Sequence, residues 1–440
     1  MQKIKHFPKI DGDLGWYETA ANRNESLGKR LKGEHKFDIA IIGAGFTGLS
    51  LAHRLAEINP EAKIALIDAL KVGQGTSGRN AGFIIDLPHN LDAGEPDVEN
   101  NKRLYRLNNF AISRLKSFCE TFDIDCSWHR AGKFMAAHED SNLPGLDGFI
   151  SMLKAGGFEY EDLNQAETTK RLGTRYYQRS VYTPGNILIN PSSLARGLAK
   201  ALPSSVSLFE NSPVISLEYG APHLIDSIGG TIRATQLVLT TNSYTEEFGK
   251  ISNRLAPVFT YGSLTRQLSQ TELHTHFPNI APWGLTSAHP AGTTVRLTSD
   301  SRIFIRNVLD FEPSLQSNNQ GLRNAWRQHR LSYEMRFPAI KTLDFEYTWG
   351  GMLCMTMNHQ SVFRKIENNL FTSGGCNGVG VAKGTYLGYY LADYMSGIDS
   401  PELRYILSSS SPSWVPPEPV RSIGAKIRLR YESGKAGGDI

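Results

Sequence analysis

The sequence predicts an α/β fold with two domains, and three stretches of the chain predict it. Residues 37–68 hold a strand, a glycine-rich turn, a helix and a second strand. Residues 369–394 repeat the order of strand, glycines and helix near the other end of the chain. Residues 257–309 contain longer runs of alternating apolar and polar residues, typical of an antiparallel sheet. At 440 residues the chain is long enough for both units.

The first stretch reads FDIAIIGAGFTGLSLAHRLAEINPEAKIALID over residues 37–68. Its apolar start, residues 37–42, is typical of a buried parallel strand. Gly43, Gly45 and Gly48 then fit GxGxxG. In this pattern the glycines permit a tight turn, the approach of a pyrophosphate to the backbone, and close packing of the helix on the strand.

An acidic residue completes this unit. Asp68 ends the second apolar run, residues 64–67, 20 positions beyond the last glycine of the pattern. A carboxylate there accepts hydrogen bonds from a ribose hydroxyl pair, and the helix N-terminus offers N–H groups to phosphates. We therefore predict a Rossmann-type dinucleotide site that includes Phe46, Thr47 and Ala69. The pattern leaves open whether the dinucleotide is FAD or NAD.

A second glycine-rich segment, KVGQGTSGRNAGF at residues 71–83, follows the acid directly. So many glycines indicate that the backbone comes close to a partner, and hydroxyl, amide and cationic groups lie among them. A flexible solvent loop is the alternative. The position after the ribose acid favours a path along the pyrophosphate to a flavin ring. The candidate cofactor-binding residues here are Gly75, Thr76, Ser77, Gly78, Arg79, Asn80, Ala81 and Gly82.

GAGFTGLSLAHRLAE followed by GQGTSGRNAGF resembles the N-terminal FAD-binding signature of the D-amino acid oxidase superfamily. It is most similar to the gamma-glutamylputrescine oxidase-like FAD-dependent oxidoreductases. In that subgroup the Ser-Gly-Arg-Asn loop contacts the flavin, which the resemblance places on residues 77–80. The resemblance also implies contacts from the backbone of Val214 to the adenine side. It implies a further small-residue loop at Thr240, Thr241 and Asn242.

The C-terminal glycine segment, SGGCNGVG, lies between a strand at residues 369–372 and a helix at residues 382–394. A helix N-terminus there suits the flavin carbonyl O2, where negative charge gathers as the ring is reduced. Two such elements favour FAD over NAD, and the resemblance adds a WGG-type segment at residues 349–351. The candidate cofactor-binding residues are Gly350, Gly375, Asn377, Gly378, Val379, Gly380 and Val381.

The cysteines indicate no covalent flavin link and no metal site. Relatives that bind flavin covalently have a cysteine where Gly351 stands, and Cys354 is off that register, so the resemblance implies non-covalent FAD. The four cysteines form no CxxC pair, which favours free thiols, and no Cys, His or carboxylate cluster supports a metal.

Composition and charge point to no nucleic-acid or membrane partner. The net charge is +4 and scattered, so neither nucleic acid nor an anionic membrane is implied. With no run of about 18 apolar residues and no apolar secretion signal, we expect a soluble, cytoplasmic protein without a membrane span. The oligomeric state stays open.

We expect two discontinuous domains between two terminal segments. The FAD-binding domain takes residues 36–90, 186–255 and 346–400, and the α+β substrate domain takes residues 91–185 and 256–345. Residues 1–35 form an arm anchored by Trp16 and Tyr17, packed outside or serving as a lid. Residues 401–440 form a linker, a tail helix and a disordered end. An apolar stripe, Val420, Ile423, Ile427 and Tyr431, favours docking of that helix on its own domain over a membrane or partner helix.

We predict oxidation of a C–N bond in an amine or amino acid. Hydride passes to the flavin, the imine hydrolyses, and dioxygen reoxidises the cofactor to give hydrogen peroxide. The alternatives are a dehydrogenase that passes electrons to a quinone or protein, and a non-catalytic FAD-binding module.

Arg79 is the candidate for tuning the flavin. Tyr261, Trp349 and His359 are pocket candidates that fit plain packing equally well. Arg302 and Arg306 share one strand face, as substrate contacts or as an exposed edge.

Overall fold

The computed structural model describes residues 1–10, 12–88, 97–316 and 318–439. The strands are β1 Gln2–Lys3, β2 Gly33–Ile42, β3 Ile64–Ile67, β4 Phe83–Ile84, β5 Lys133–Ala137, β6 Glu161–Asn164, β7 Arg179–Thr183, β8 Ile187–Leu188, β9 Val206–Phe209, β10 Val214–Glu218, β11 His223–Ser227, β12 Gly230–Leu239, β13 Ala256–Thr265, β14 Trp283–Ser287, β15 Thr294–Leu297, β16 Ile303–Phe311, β17 Phe345–Met355, β18 Val362–Glu367 and β19 Leu370–Gly374.

The α-helices are α1 Gly15–Glu18, α2 Phe46–Ile58, α3 Thr76–Arg79, α4 Val98–Thr121, α5 Leu143–Gly156, α6 Gln165–Leu172, α7 Pro191–Lys200, α8 Gln270–His276, α9 Asn319–Arg336, α10 Gly380–Met395, α11 Pro401–Ser408 and α12 Val420–Lys435. Among the described residues, 3₁₀ helices span Asp140–Asn142, Asn242–Phe248 and Pro338–Ile340.

The first sheet holds the predicted dinucleotide unit. Its strand order is β1, β10, β11, β12, β2, β3 and β9, and β19 joins β12 to β18. The pairs β12–β2, β2–β3, β3–β9 and β12–β19 are parallel. Because parallel strands end at the same edge, the turns after β2, β3, β12 and β19 gather there. The Rossmann-type arrangement is confirmed.

The second sheet is the predicted substrate-domain sheet, in the order β17, β13, β16, β15, β14, β5, β7 and β6. Its pairs are antiparallel except β14 with β5. One face packs on α9 through an apolar cluster that includes Ile303, Ile305 and Tyr333. The α/β fold class with an antiparallel second sheet is therefore confirmed. The predicted domain boundary between residues 90 and 91 lies outside the described residues.

The N-terminal arm is built into the cofactor domain. Strand β1 extends the first sheet beside β10, and both Trp16 and Tyr17 are buried. Farther along the arm, the buried guanidinium of Arg196 on α7 donates to the carbonyls of Asn22 and Glu25, at 3.0 and 2.6 Å. These contacts fix the arm by main-chain groups, which no side-chain pattern in the sequence reveals.

The C-terminal tail corrects one prediction. Residues 433–439 are ordered, because Asp439 is buried and forms an ion pair with Arg336. The Ala436 carbonyl also accepts from Asn142, and the Gly438 N–H donates to Glu139 at 2.7 Å. The predicted disorder of this end is therefore wrong for these residues. Polar contacts, which leave no apolar signal in the sequence, hold the tail.

Candidate functional site

The turn after β2 requires its glycines. Gly43 has φ +108°, and a Cβ there would lie 2.7 Å from the carbonyl oxygen of Thr240. A Cβ on Gly48 would overlap the carbonyl oxygen of Gly43. The Thr240 hydroxyl fixes the same turn by donating to the carbonyls of Ile42 and Gly43, at 3.0 and 2.8 Å. The glycines thus let α2 start directly against β2 and β12.

Asp68 lies at the N-terminus of α2. Its carboxylate accepts the N–H of Ala44 at 2.8 Å and that of Leu70 at 2.9 Å. Burial raises the pKa of Asp68 to about 6, against the lowering effect of these two N–H donors. The helix cap at Gly45 has no side chain, and the N–H of Phe46 donates to Ser77 Oγ at 3.0 Å. A fixed acceptor and a helix N-terminus therefore lie side by side, as a dinucleotide requires.

The loop of residues 71–83 is fastened to strand β17 of the second sheet. Arg79 is buried, and its guanidinium donates to the carbonyls of Gln74 and Gly350, each at 2.7 Å. Trp349 Nε1 donates to the carbonyl of Arg79 at 3.2 Å. The Arg79 side chain thus ties the cofactor loop to the second sheet.

The C-terminal glycine segment forms a second uncapped helix N-terminus. Helix α10 begins at Gly380 after Val379, which makes no side-chain cap. Gly378 has φ +84°, and open space lies where its Cβ would be. Buried Asn377 supports the turn, because its Oδ1 accepts the N–H of Thr356 at 2.7 Å and its Nδ2 donates to the His359 carbonyl at 2.9 Å.

The two helices are held close together by further glycines. A Cβ on Gly384 of α10 would lie 3.0 Å from Thr47 Oγ1, and one on Gly388 would overlap the carbonyl oxygen of Thr47. The N-termini of α2 and α10 therefore border one cavity, although they lie more than 330 residues apart in the chain. Both helix dipoles place positive charge at that cavity.

This cavity encloses about 1410 Å³, open solvent at its mouth included, and extends from β10 to β17. Sixteen predicted cofactor residues line it: Gly43, Gly45, Phe46, Thr47, Asp68, Ala69, Gly75, Thr76, Ser77, Asn80, Val214, Thr240, Thr241, Asn242, Gly378 and Gly380. The other ten predicted cofactor residues are not among those that line it: Gly48, Gly78, Arg79, Ala81, Gly82, Gly350, Gly375, Asn377, Val379 and Val381. Their direct contact with a cofactor stays a prediction.

Sequence reasoning missed part of the lining. The arm contributes Ile4, His6, Phe7 and Pro8, and other segments contribute Ser212, Tyr244, Phe248, Met352, Leu353, Ser373, Cys376 and Leu387. His6 is placed by Glu247, whose Oε1 lies 2.7 Å from His6 Nδ1. No local motif marks the lining residues of the arm, because the pairing of β1 with β10 is what brings the arm here.

The three pocket candidates lie away from the lining that the structure describes. Tyr261 is buried toward α9, and its hydroxyl would lie 2.6 Å from a Cβ on Gly321. Trp349 is buried against Trp16, with ring centroids 6.0 Å apart. His359 lies in the β17–β18 turn with φ +57°. Their contact with a substrate remains a prediction that this geometry does not support.

Arg302 and Arg306 differ sharply despite sharing a face. Arg302 donates to Asp300 at 3.1 Å and pairs with Glu346 at the sheet margin. Arg306 is partly accessible and forms no ion pair or side-chain hydrogen bond with any residue among those described. Burial lowers the pKa of Arg306 to about 10, so it stays cationic at neutral pH. Arg306 is thus a largely desolvated cation with no acidic partner among the described residues.

The cysteines are free, and Cys354 is buried in an apolar cluster with Ile251, Leu255 and Val362. This burial agrees with the predicted lack of a covalent flavin link at that position.

Within the described residues, no group of three His, Cys, Asp or Glu side chains could hold a metal ion. Over the same residues, no helix combines the length and apolarity needed to cross a bilayer.

Comparison with known proteins agrees with the geometry. Residues 38–394 match the family DAO, described as FAD dependent oxidoreductase. The chain belongs to this family. Its cofactor is FAD, and the Asp68 acceptor, the two helix N-termini and the glycine-lined cavity fit a dinucleotide of that kind.

Individual relatives cover nearly the whole chain. The probable oxidoreductase OrdL of Haemophilus influenzae is 25% identical over 94% of this chain and 95% of its own length. The gamma-glutamylputrescine oxidoreductase of Escherichia coli K12 is 22% identical, over 87% and 88%. Among solved structures, glycine oxidase from Geobacillus kaustophilus superposes with a TM-score of 0.70 at 18% identity, over 83% of this chain and 96% of that one.

Proposed function

We propose that this FAD-dependent oxidoreductase oxidises the C–N bond of an amine or amino acid that carries an anionic group. The anionic group on the substrate is inferred from Arg306, a desolvated guanidinium without a described acidic partner. The names of the relatives, gamma-glutamylputrescine oxidoreductase and glycine oxidase, support an amine or amino acid.

When bound, FAD supplies the two-electron acceptor for hydride. The substrate loses hydride from the carbon and a proton from nitrogen to become an imine, which water hydrolyses to a carbonyl compound and a free amine. In our proposal dioxygen takes the two electrons and two protons and leaves as hydrogen peroxide. The protein contributes mainly by positioning the two reactants and by its electrostatic field.

The residues of the cavity divide these tasks. Asp68 and the N-terminus of α2 would hold the ribose and pyrophosphate. The N-terminus of α10, at Gly378 and Gly380, would stabilise negative charge at the carbonyl end of the ring. Arg79 would hold the cofactor loop on β17 through its bond to Gly350.

Strand register supports a position of Arg306 on the cofactor side of the second sheet. Arg306 pairs with Gly262, and Gly262 pairs in turn with Trp349. Phe304, two residues before Arg306, packs on Trp349 at 5.8 Å between ring centroids. Since side chains alternate along a strand, Arg306 shares this face. Trp349 donates from the same face to the cofactor loop, so an anion held by Arg306 would lie on the side of the sheet that contacts that loop.

The test is anaerobic bleaching of the purified yellow protein by paired amines that differ only in a carboxylate. We expect the carboxylate-bearing member of each pair to reduce the flavin faster. Arg306→Met should lower kcat/KM for it by about 100-fold, in the range found when one partner of a buried charge pair is removed. For the neutral amine the loss should be small.

Arg302→Met is the matched control, because it removes an arginine on the same face that already has Asp300 and Glu346 as partners. It should leave the preference intact. Equal losses in both variants would contradict the role of Arg306, and a protein that no amine or amino acid bleaches would contradict the proposed reaction. Stopped-flow mixing of the reduced enzyme with air tests dioxygen as acceptor, and slow recovery would favour a dehydrogenase.

A further inference from the structure

Helix α12 shows its apolar side to solvent. Val420, Ile423, Ile427 and Tyr431 are 57%, 58%, 64% and 54% exposed. At 100° per residue these four positions form one stripe along about three turns of the helix. In a globular protein the apolar stripe of a surface helix normally faces the core. In α12 the apolar stripe faces solvent instead.

The opposite face of α12 is what docks the helix. Arg421 donates to Glu246 and to the Leu255 carbonyl, at 3.1 and 3.0 Å. Glu432 lies 3.4 Å from His289 Nε2. Beyond the helix, Asp439 pairs with buried Arg336. The helix is therefore held at both ends by polar contacts, and the stripe takes no part in holding it.

Basic residues border the stripe on both sides. The helix contains Arg421, Lys426, Arg428, Arg430 and Lys435 against the single acid Glu432, a net charge of +4 that equals that of the whole chain. On the helical wheel, Lys426 and Arg430 flank one side of the stripe, and Arg428 and Lys435 flank the other. Lys426 and Arg430 make no ion pair with any residue that the structure describes.

We propose that α12 attaches this protein to an anionic lipid surface. An apolar stripe between two rows of basic residues is the pattern of a helix that lies in the membrane interface. Lys and Arg then reach the headgroups while the stripe enters the acyl boundary. A second copy of this chain fits less well, because stripe-to-stripe contact would bring two rows of like charge together on each side.

Exposed apolar side chains also lie in the segment before the helix. Trp414 is 54% exposed, and Met357 is 70% exposed. The Ser413 N–H donates to Asn358 Oδ1 at 3.1 Å, so these two apolar side chains belong to segments in contact. Exposed Trp is typical of the interface between membrane and water.

The test is co-sedimentation of the holoenzyme with vesicles of phosphatidylglycerol and phosphatidylcholine in equal parts, beside vesicles of phosphatidylcholine alone. We expect binding to the anionic vesicles that weakens with salt, and much less binding to the neutral ones. The double variant Ile423→Ser/Ile427→Ser and the double variant Lys426→Gln/Arg430→Gln should each lower partitioning on the order of tenfold or more.

The matched control is Ile228→Ser/Leu331→Ser, which removes two equally exposed apolar side chains from β11–β12 and α9. It should bind vesicles like the unaltered protein. All variants alter exposed residues, so flavin absorbance and thermal unfolding should stay unchanged and show that each variant is folded. Lack of binding to anionic vesicles, or equal binding of the stripe variant, would overturn the proposal. So would a dimer in sedimentation velocity that the stripe variant abolishes, since the stripe would then cover a second copy.

Discussion

The cofactor side and the proposed substrate side of this protein use different parts of the chain. The cofactor side works with main-chain groups: glycine turns at Gly43 and Gly378 and the N-termini of α2 and α10. The proposed substrate side depends on which way a side chain such as that of Arg306 points from a sheet. The spacing of glycines within a short stretch of sequence is enough to predict a site built from main-chain groups. Side-chain sites depend on strand register and on what packs against each face.

Gly48→Ala should have the largest effect, because its Cβ would overlap the Gly43 carbonyl and push α2 away from β2. We expect loss of bound FAD and destabilisation of several kcal/mol, as strain in a well-packed site costs about 1–3 kcal/mol or more. Flavin absorbance of the purified protein and thermal unfolding measure it.

The control for this variant is Gly148→Ala in α5, where a Cβ would meet no atom within 4 Å. That change should leave FAD in place and stabilise the helix by about 0.5–1 kcal/mol. A Gly48→Ala protein that stays fully yellow would contradict the main-chain account of the cofactor side.

Asp68→Asn should weaken FAD binding next most strongly. Loss of a charged acceptor costs about 1.5–3 kcal/mol, on the order of 10 to 100-fold in Kd. Since burial raises the pKa of Asp68 to about 6, the carboxylate is mostly protonated at pH 5. FAD binding to the unaltered protein should therefore weaken up to about tenfold between pH 7 and 5.

The raised pKa of Asp68 also determines how the stability of the protein without FAD changes with pH. The contribution of Asp68 to stability is fully present below its unfolded pKa of about 4 and is lost as the pH rises through about 6. Flavin titrations at several pH values measure the binding effect, and the Asp68→Asn variant should show a flat profile. A pH-dependent profile in that variant would assign the titration to another group.

Trp349→Phe tests the contact between strand β17 and the cofactor loop, and we expect a smaller effect than for the two preceding variants. It removes the bond from Nε1 to the Arg79 carbonyl, and we expect a loss of about 1–3 kcal/mol in unfolding free energy with FAD retained. Trp283→Phe is the control, because that buried indole N–H has no hydrogen-bond partner in the described part of the chain. If both variants lose equal stability in chemical denaturation, the bond to Arg79 contributes nothing.

His359→Asn should have the smallest effect. The residue lies in a turn with φ +57°, which asparagine tolerates, and its side chain does not line the cavity that the structure describes. Steady-state kcat/KM should change less than about twofold, as is usual for substitutions away from packed or functional groups. A loss of tenfold or more in kcat/KM would indicate that His359 lines the substrate pocket after all.

The terminal segments show where sequence reasoning reaches its limit. Burial of Trp16 follows from its apolar character, but its placement on Phe304, at 5.2 Å, depends on the pairing of distant strands. The apolar stripe of α12 was correctly predicted as helical, yet its orientation toward solvent was not. Docking by Arg421 and Asp439 decided that orientation, and single polar contacts leave no periodic pattern.

The sequence by itself determined the α/β class and the two glycine elements, which border one cavity. The physical reason is that glycines are needed wherever backbone approaches backbone or a phosphate, whatever the rest of the fold does. Only the tertiary structure decided which arginine lacks a partner among the described residues and where the arm packs. Strand register and pairing place each side chain among neighbours hundreds of residues away, and no local stretch of sequence contains that information.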